Sequence, residues 1–168
     1  MIVYKTIALE EAEPFWEMLC RLDTETDTMM YEPGERAERT SLSALREDIQ
    51  SNVVGGKDFL EIALEDGEIV GYLRAERGQI NRISHTAYVV TGVLKAARGK
   101  GIGTTLFQHL DRWARENGIL RLELTVECRN EAARHLYEKS GFEVEGRRRK
   151  SMSVGGDLVG EYYMAKFF

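Results

Sequence analysis

Six residues near the middle of the chain, Arg98-Gly99-Lys100-Gly101-Ile102-Gly103, carry the clearest chemical pattern in the sequence. A β-rich run, Tyr88-Val89-Val90-Thr91-Gly92-Val93, ends just before them. Apolar Leu106, Leu110 and Trp113 follow at helical spacing. The three glycines free the backbone angles and remove side-chain bulk. Unpaired amides at a helix start attract an anion, and the helix dipole reinforces them. Arg98 and Lys100 add positive charge. The pattern predicts a grip on a phosphate-bearing ligand.

Known phosphate sites differ in spacing. A Walker loop separates its first glycine from a Gly-Lys-Ser/Thr end by four residues, and the lysine here is misplaced for that. A dinucleotide site needs Gly-x-Gly-x-x-Gly in a parallel βαβ unit, with an acidic residue ending the next strand. This stretch has only Gly-x-Gly-x-Gly, then Thr104. The preceding strands also contain Asp66-Gly67 between two β-rich runs, a hairpin signal that makes the sheet antiparallel there.

A third pattern fits. Arg98, Gly101 and Gly103 read as Arg-x-x-Gly-x-Gly between a strand and a helix. Downstream comes Asn130-Glu131-Ala132-Ala133-Arg134-His135-Leu136-Tyr137-Glu138-Lys139-Ser140-Gly141-Phe142. The two segments, with a strand between them, resemble the GNAT superfamily of acyl-CoA-dependent N-acetyltransferases, and the element order matches over nearly the whole chain. The resemblance implies acetyl-CoA as co-substrate and no metal. Amides and charges of Arg98, Gly99, Lys100, Gly101, Ile102, Gly103 and Thr104 would hold its pyrophosphate. Backbone groups of Val93 and Leu94 would meet the pantetheine arm, on a strand that splays from its parallel neighbour. Asn130, Ala133 and Tyr137, spaced i, i+3, i+7, share one helix face. The resemblance assigns Asn130 to the pantetheine and Tyr137 to protonating the leaving thiolate, whereas Ala132 and Leu136 would face the sheet. Lys95 replaces a proline frequent in the family, which is expected to leave backbone contacts unchanged.

The implied reaction is direct attack by a primary amine (a small amine, an amino acid or a peptide N-terminus) on acetyl-CoA. No covalent intermediate is expected, so Cys20 and Cys128 have no role. The general base is less determined. No glutamate lies on the strand Ile83 to Val93. His85, whose ordinary pKa suits the task, is the base expected there, with Tyr88, Glu76, Glu32 or a water relay as alternatives. Asp23 to Glu38 reads as an acid-rich loop with a Pro33-Gly34 turn. Its Met30, Tyr31 and Glu32 are the expected acceptor contacts, and its carboxylates favour a cationic amine. A non-catalytic acyl-CoA-binding regulator on the same fold is the runner-up, and a nucleotide-binding domain the third reading.

The elements that must carry these residues follow the order β-α-α-β-β-β-α-β-α-β-β. Strands are expected at Ile2 to Thr6, Phe59 to Glu65, Glu68 to Glu76, Ile83 to Val93, Leu120 to Glu127, and twice within Phe142 to Phe168. Helices are expected from about Leu9 to Arg21, after Ser41, from about Gly101 to Asn117, and after Asn130. That is a mixed α/β fold: about seven mostly antiparallel strands with one splayed parallel pair, and about four flanking helices, in a single domain over residues 1–168. The net charge of -5 argues against nucleic-acid binding. The basic run Arg147-Arg148-Arg149-Lys150 reads as a solvated edge. No stretch is apolar enough for a membrane span, and no signal peptide is legible. A cytoplasmic protein is expected, and a homodimer would be in keeping with the family.

Overall fold

The computed structural model describes all 168 residues. Seven strands form one sheet in the order β1-β2-β3-β4-β5-β7-β6, with every pair antiparallel except β4 and β5. They are β1 (Ile2–Thr6), β2 (Phe59–Glu65), β3 (Glu68–Arg77), β4 (Thr86–Val93), β5 (Arg121–Glu127), β6 (Glu143–Val154) and β7 (Asp157–Phe167). Five α-helices cover the sheet: α1 (Ala12–Glu25), α2 (Glu35–Arg39), α3 (Leu42–Asp48), α4 (Ile102–Glu116) and α5 (Glu131–Lys139).

The turns are where the sequence says they must be. Asp66 (φ 52°) and Gly67 (φ 85°) both take left-handed angles, as the tight turn joining β2 to β3 requires. Gly155 (φ 57°) and Gly156 (φ 87°) do the same between β6 and β7.

Alternation along β5 builds one core and leaves the other face for the site. Leu122, Leu124 and Val126 are buried with Ile102, Leu106, Phe107 and Leu110 of α4. The intervening Glu123, Thr125 and Glu127 therefore face the other way. A second core lies across the sheet, where Phe15, Met18, Leu19 and Leu22 of α1 meet Leu60, Ile62 and Tyr72. Each fully buried leucine or isoleucine contributes about 1.5–3 kcal/mol.

The parallel pair is short. β4 meets β5 only at Thr86↔Arg121, Ala87↔Leu122 and Tyr88↔Glu123, and beyond Tyr88 the strands part. Opposite the parting, α1 presses on β4. A Cβ on Gly92 would come within 2.4 Å of Leu22 Cδ2, so glycine is needed for that approach.

Several boundaries differ from expectation. α1 starts after a 3₁₀ turn (Leu9–Glu11), puts Pro14 in its first turn and runs on to Glu25, so Asp23 is helical. α2 interrupts the expected loop. Ser41 caps α3 by accepting the Ala44 amide at 3.1 Å, and the helix then widens into a π turn, Ile49–Val54. β4 begins at Thr86 because a 3₁₀ turn occupies Asn81–Ile83, leaving His85 ahead of the strand. No helix is long and apolar enough to cross a membrane.

Candidate active site

A cleft of about 790 Å³ opens where β4 and β5 part. Its two ends are built differently. On the donor side lie Arg98, Gly99, Gly101 to Thr104, Asn130, Ala133 and Tyr137. On the acceptor side lie Thr28 to Tyr31, Arg36, Glu76, Glu127 and Glu161. Tyr72, Tyr88 and Thr125 stand between them.

The middle of the cleft is lined by strand backbone. Gly78 N–H donates to Thr86 O (3.0 Å) and Leu94 N–H to Val70 O (2.8 Å). Between these bonds the register pairs Tyr88, Val90 and Gly92 with Glu76, Arg74 and Tyr72. By the antiparallel alternation, the even-numbered residues of β4 bond to β3. Val89, Thr91 and Val93 then turn their N–H and C=O groups toward the space that β5 has vacated. An extended amide-bearing chain laid there would complete the ladder. Arg98 Nε already reaches in, donating to the Val93 carbonyl at 3.1 Å.

The donor loop divides labour among its glycines. Gly99 (φ 76°) and Gly101 (φ 77°) supply left-handed turns into α4, with nothing within 4 Å of a would-be Cβ. Gly103 serves packing instead. A Cβ there would sit 2.7 Å from Leu136 Cδ2, so the space is taken by α5 rather than left for a ligand. The first amides of α4 have no intrahelical acceptor and open onto the cleft.

On α5, Asn130 caps the helix by accepting the Ala133 amide at 3.2 Å. The Tyr137 ring packs edge-on against Phe107 and tilted against Phe142, with centroids 5.6 and 6.2 Å away. Burial pushes its phenol up to about 12, and the nearby Tyr88 phenol adds to the effect. Burial also pushes the Tyr72 phenol up, with Tyr137 contributing. All three tyrosines line the cleft, and Tyr88 Oη lies 2.9 Å from Thr125 Oγ1. A phenol held neutral at this point is a proton donor at ordinary pH.

The acceptor wall is a set of ion pairs. Arg36 grips the buried Asp23 with two bonds, 2.7 and 3.0 Å, and stacks on Tyr31. Glu127 and Glu161 face each other across β5 and β7, and both are buried.

The architecture and sequence have known counterparts. Residues 16–142 match the acetyltransferase (GNAT) family model, well over half of the chain. The chain belongs to the GNAT acetyltransferase family. It is 35% identical over 109 residues to the L-amino acid N-acetyltransferase AaaT of Escherichia coli (strain K12), covering 62% of this chain and 65% of that protein. The chain thus spans just under two thirds of that relative. A GNAT acetyltransferase from Streptococcus pneumoniae superposes with a TM-score of 0.93 at 24% identity, over 100% of both chains. A similar fold occurs in yncA of Salmonella typhimurium, solved with its cofactor acetyl-CoA (TM-score 0.85, 17% identity, 99% of this chain and 93% of that one). GNAT enzymes transfer acetyl groups from acetyl-CoA, and the family's N-acetyltransferases deliver them to amines.

Most donor residues expected from the GNAT pattern come together: Val93, Arg98, Gly99, Gly101, Ile102, Gly103, Thr104, Asn130, Ala133 and Tyr137 all line the cleft. Two do not. Leu94 is a core residue packed with α1, and Lys100 turns outward to bind both oxygens of Glu65, at 2.7 and 2.9 Å. Ala132 and Leu136 also line the cleft, Leu136 while packing against the core that α4 shares with the sheet. Lys95 does matter: its amide donates to Glu25 at 2.8 Å, a bond proline cannot make.

On the acceptor side Met30 and Tyr31 line the cleft, but Glu32 does not. Its amide donates to Glu35 at 3.0 Å, organising the start of α2. His85 is exposed in the turn ahead of β4, roughly 26 Å of strand from Val93, and is not a cleft residue. Asp23 and Glu25 are spent on Arg36 and on the Lys95 amide. The sequence reading missed Tyr72, Arg36, Glu127 and Glu161. For Glu127 a signal existed, since the alternation of β5 puts it on the face of Thr125.

Proposed function

We propose that the protein transfers the acetyl group of acetyl-CoA to a primary amine by direct attack, with Tyr137 as general acid. The observation that carries this reading is the Tyr137 phenol, half-buried against Phe107 and Phe142 and lining the cleft at the parting of β4 and β5, beside unpaired strand backbone. The pantetheine arm would lie along Val89, Thr91 and Val93, and the pyrophosphate against the start of α4. The neutral amine adds to the thioester carbon, and a backbone N–H of β4 receives the developing oxyanion. As the C–S bond breaks, Tyr137 gives its proton to the sulfur. The surroundings that keep the phenol neutral also disfavour a bare thiolate. The amine's surplus proton passes through water and restores the Tyr137 phenol, and the products are the amide and coenzyme A. We read residues 1–168 as one catalytic unit, because strands from both ends belong to one sheet.

The test is coenzyme A release across an amine panel, wild type against Tyr137→Phe. A fall in kcat of about 100-fold is expected, with an unchanged melting temperature because the ring contacts persist. Wild-type turnover by Tyr137→Phe would remove the acid assignment. Stabilisation by acetyl-CoA with no turnover of any amine would instead favour a non-catalytic acyl-CoA-binding regulator.

A further inference from the structure

Glu127 is a buried carboxylate with an unused oxygen. Its side chain is 3% exposed, and Oε1 takes the Arg129 guanidinium at 2.6 Å. Oε2 is buried without any hydrogen-bond partner, and the residue lines the cleft. A buried, unsatisfied carboxylate oxygen is costly unless a donor completes it.

Glu161 stands directly opposite on β7, 4% exposed, and lines the same cleft. Like charges directly opposite on neighbouring strands repel. Each has one arginine on its outer side, Arg129 for Glu127 and Arg148 at 3.3 Å for Glu161. Both arginines are nearly half-exposed and so only partly offset the charge. The β6–β7 pairing bulges between Arg148 and Met152, where Lys150 has φ 54°. This irregularity lies beside Glu161, as bulges often lie beside sites.

Resting on the acetyl-transfer reading, we infer that Glu127 and Glu161 hold a second ammonium of the acceptor, so that the substrate class is aliphatic diamines. The attacked nitrogen has to be neutral and has to lie near Tyr137. Glu127 stands one strand repeat beyond Thr125, about 7 Å along the same face. It thus holds a different nitrogen, at the far end of a short alkyl chain. A primary ammonium offers three donors, enough for the free Oε2 and a neighbour. Replacing the second amine by a carboxylate would bring a third negative charge against the pair.

The experiment compares three acceptors of equal length: 1,4-diaminobutane, butylamine and 4-aminobutanoate. Wild type is expected to favour the diamine by at least about 10-fold in kcat/KM over butylamine, mainly through KM, and to disfavour 4-aminobutanoate further. Glu127→Gln should bring the diamine-to-butylamine ratio to within about twofold of one, and Glu161→Gln should lower it less. Equal use of diamine and butylamine by wild type, or an unaltered ratio in Glu127→Gln, overturns the inference while leaving acetyl transfer standing. Melting temperatures without acetyl-CoA separate the two readings. If 1,4-diaminobutane stabilises wild type but not Glu127→Gln, and no amine is turned over, the binding site stands and the acetyl-transfer reading falls. Should Glu127→Gln not fold, Glu161→Gln carries the same comparison.

Discussion

The donor and acceptor ends of the cleft are made by opposite means. The donor end is mostly backbone: two left-handed glycines, the first amides of α4, and the strand edge at Val89, Thr91 and Val93. The acceptor end is mostly side chains, drawn from α1, α2, β3, β5 and β7 and held in ion pairs. Backbone recognition constrains spacing and so leaves a contiguous motif. Side-chain recognition constrains only a final juxtaposition, which distant segments can meet in many ways. One end can stay constant across a family while the other changes with the acceptor.

Substitutions can break that division in graded steps. The largest effect is expected at Asp23→Ala, which strands the Arg36 guanidinium inside the acceptor wall. Removing one partner of a buried pair costs about 3–5 kcal/mol, to be read by chemical denaturation, and the amine KM should rise more than that of acetyl-CoA. Smaller, and confined to the donor end, is Gly101→Val. A branched side chain at φ 77° is strained by about 1–2 kcal/mol. The acetyl-CoA KM should rise several-fold while the ranking of amines is kept, and Gly101→Asn, which tolerates that angle, should lose less.

A third step bears on the junction. Because the Tyr137 phenol is raised to about 12, kcat should show no descending limb through pH 10. The sign follows from burial: the folded state favours the neutral phenol. Its contribution to stability is full below the ordinary value of about 10 and is lost as pH rises through about 12. A limb near pH 9 belonging to Tyr137 would contradict this placement. The smallest effect is expected at Lys100→Ala. Its exposed pair with Glu65 contributes about 0–1 kcal/mol, and the acetyl-CoA KM should change less than in Arg98→Ala.

The same contrast explains what could be read from the sequence. The Asp66-Gly67 turn, the alternation of β5, the Ser41 cap and the Gly101 turn are local, each set by a few neighbouring residues, and all are found. Asn130, Ala133 and Tyr137 were legible together because helical spacing puts them on one face. The facing of Glu127 by Glu161 was not, because β7 pairs with β5 across a long sequence separation. His85 and the loop carboxylates illustrate the converse. Their chemistry suits a base or a cation trap, but the carboxylates of Asp23, Glu25 and Glu35 are taken up by Arg36, the Lys95 amide and the Glu32 amide, and His85 precedes its strand.

The bond from the Lys95 amide to Glu25 joins the last turn of α1 to the segment leading into the donor loop, three residues before Arg98. Glu25 is held below the usual carboxylate range chiefly by that amide. The acceptor segment Thr26 to Tyr31 starts immediately after it. Ordering the donor loop around coenzyme A should therefore steady the acceptor wall through this tie, making the addition of substrates sequential with acetyl-CoA first. In Lys95→Pro the tie is gone, and initial-rate patterns should drift toward random addition.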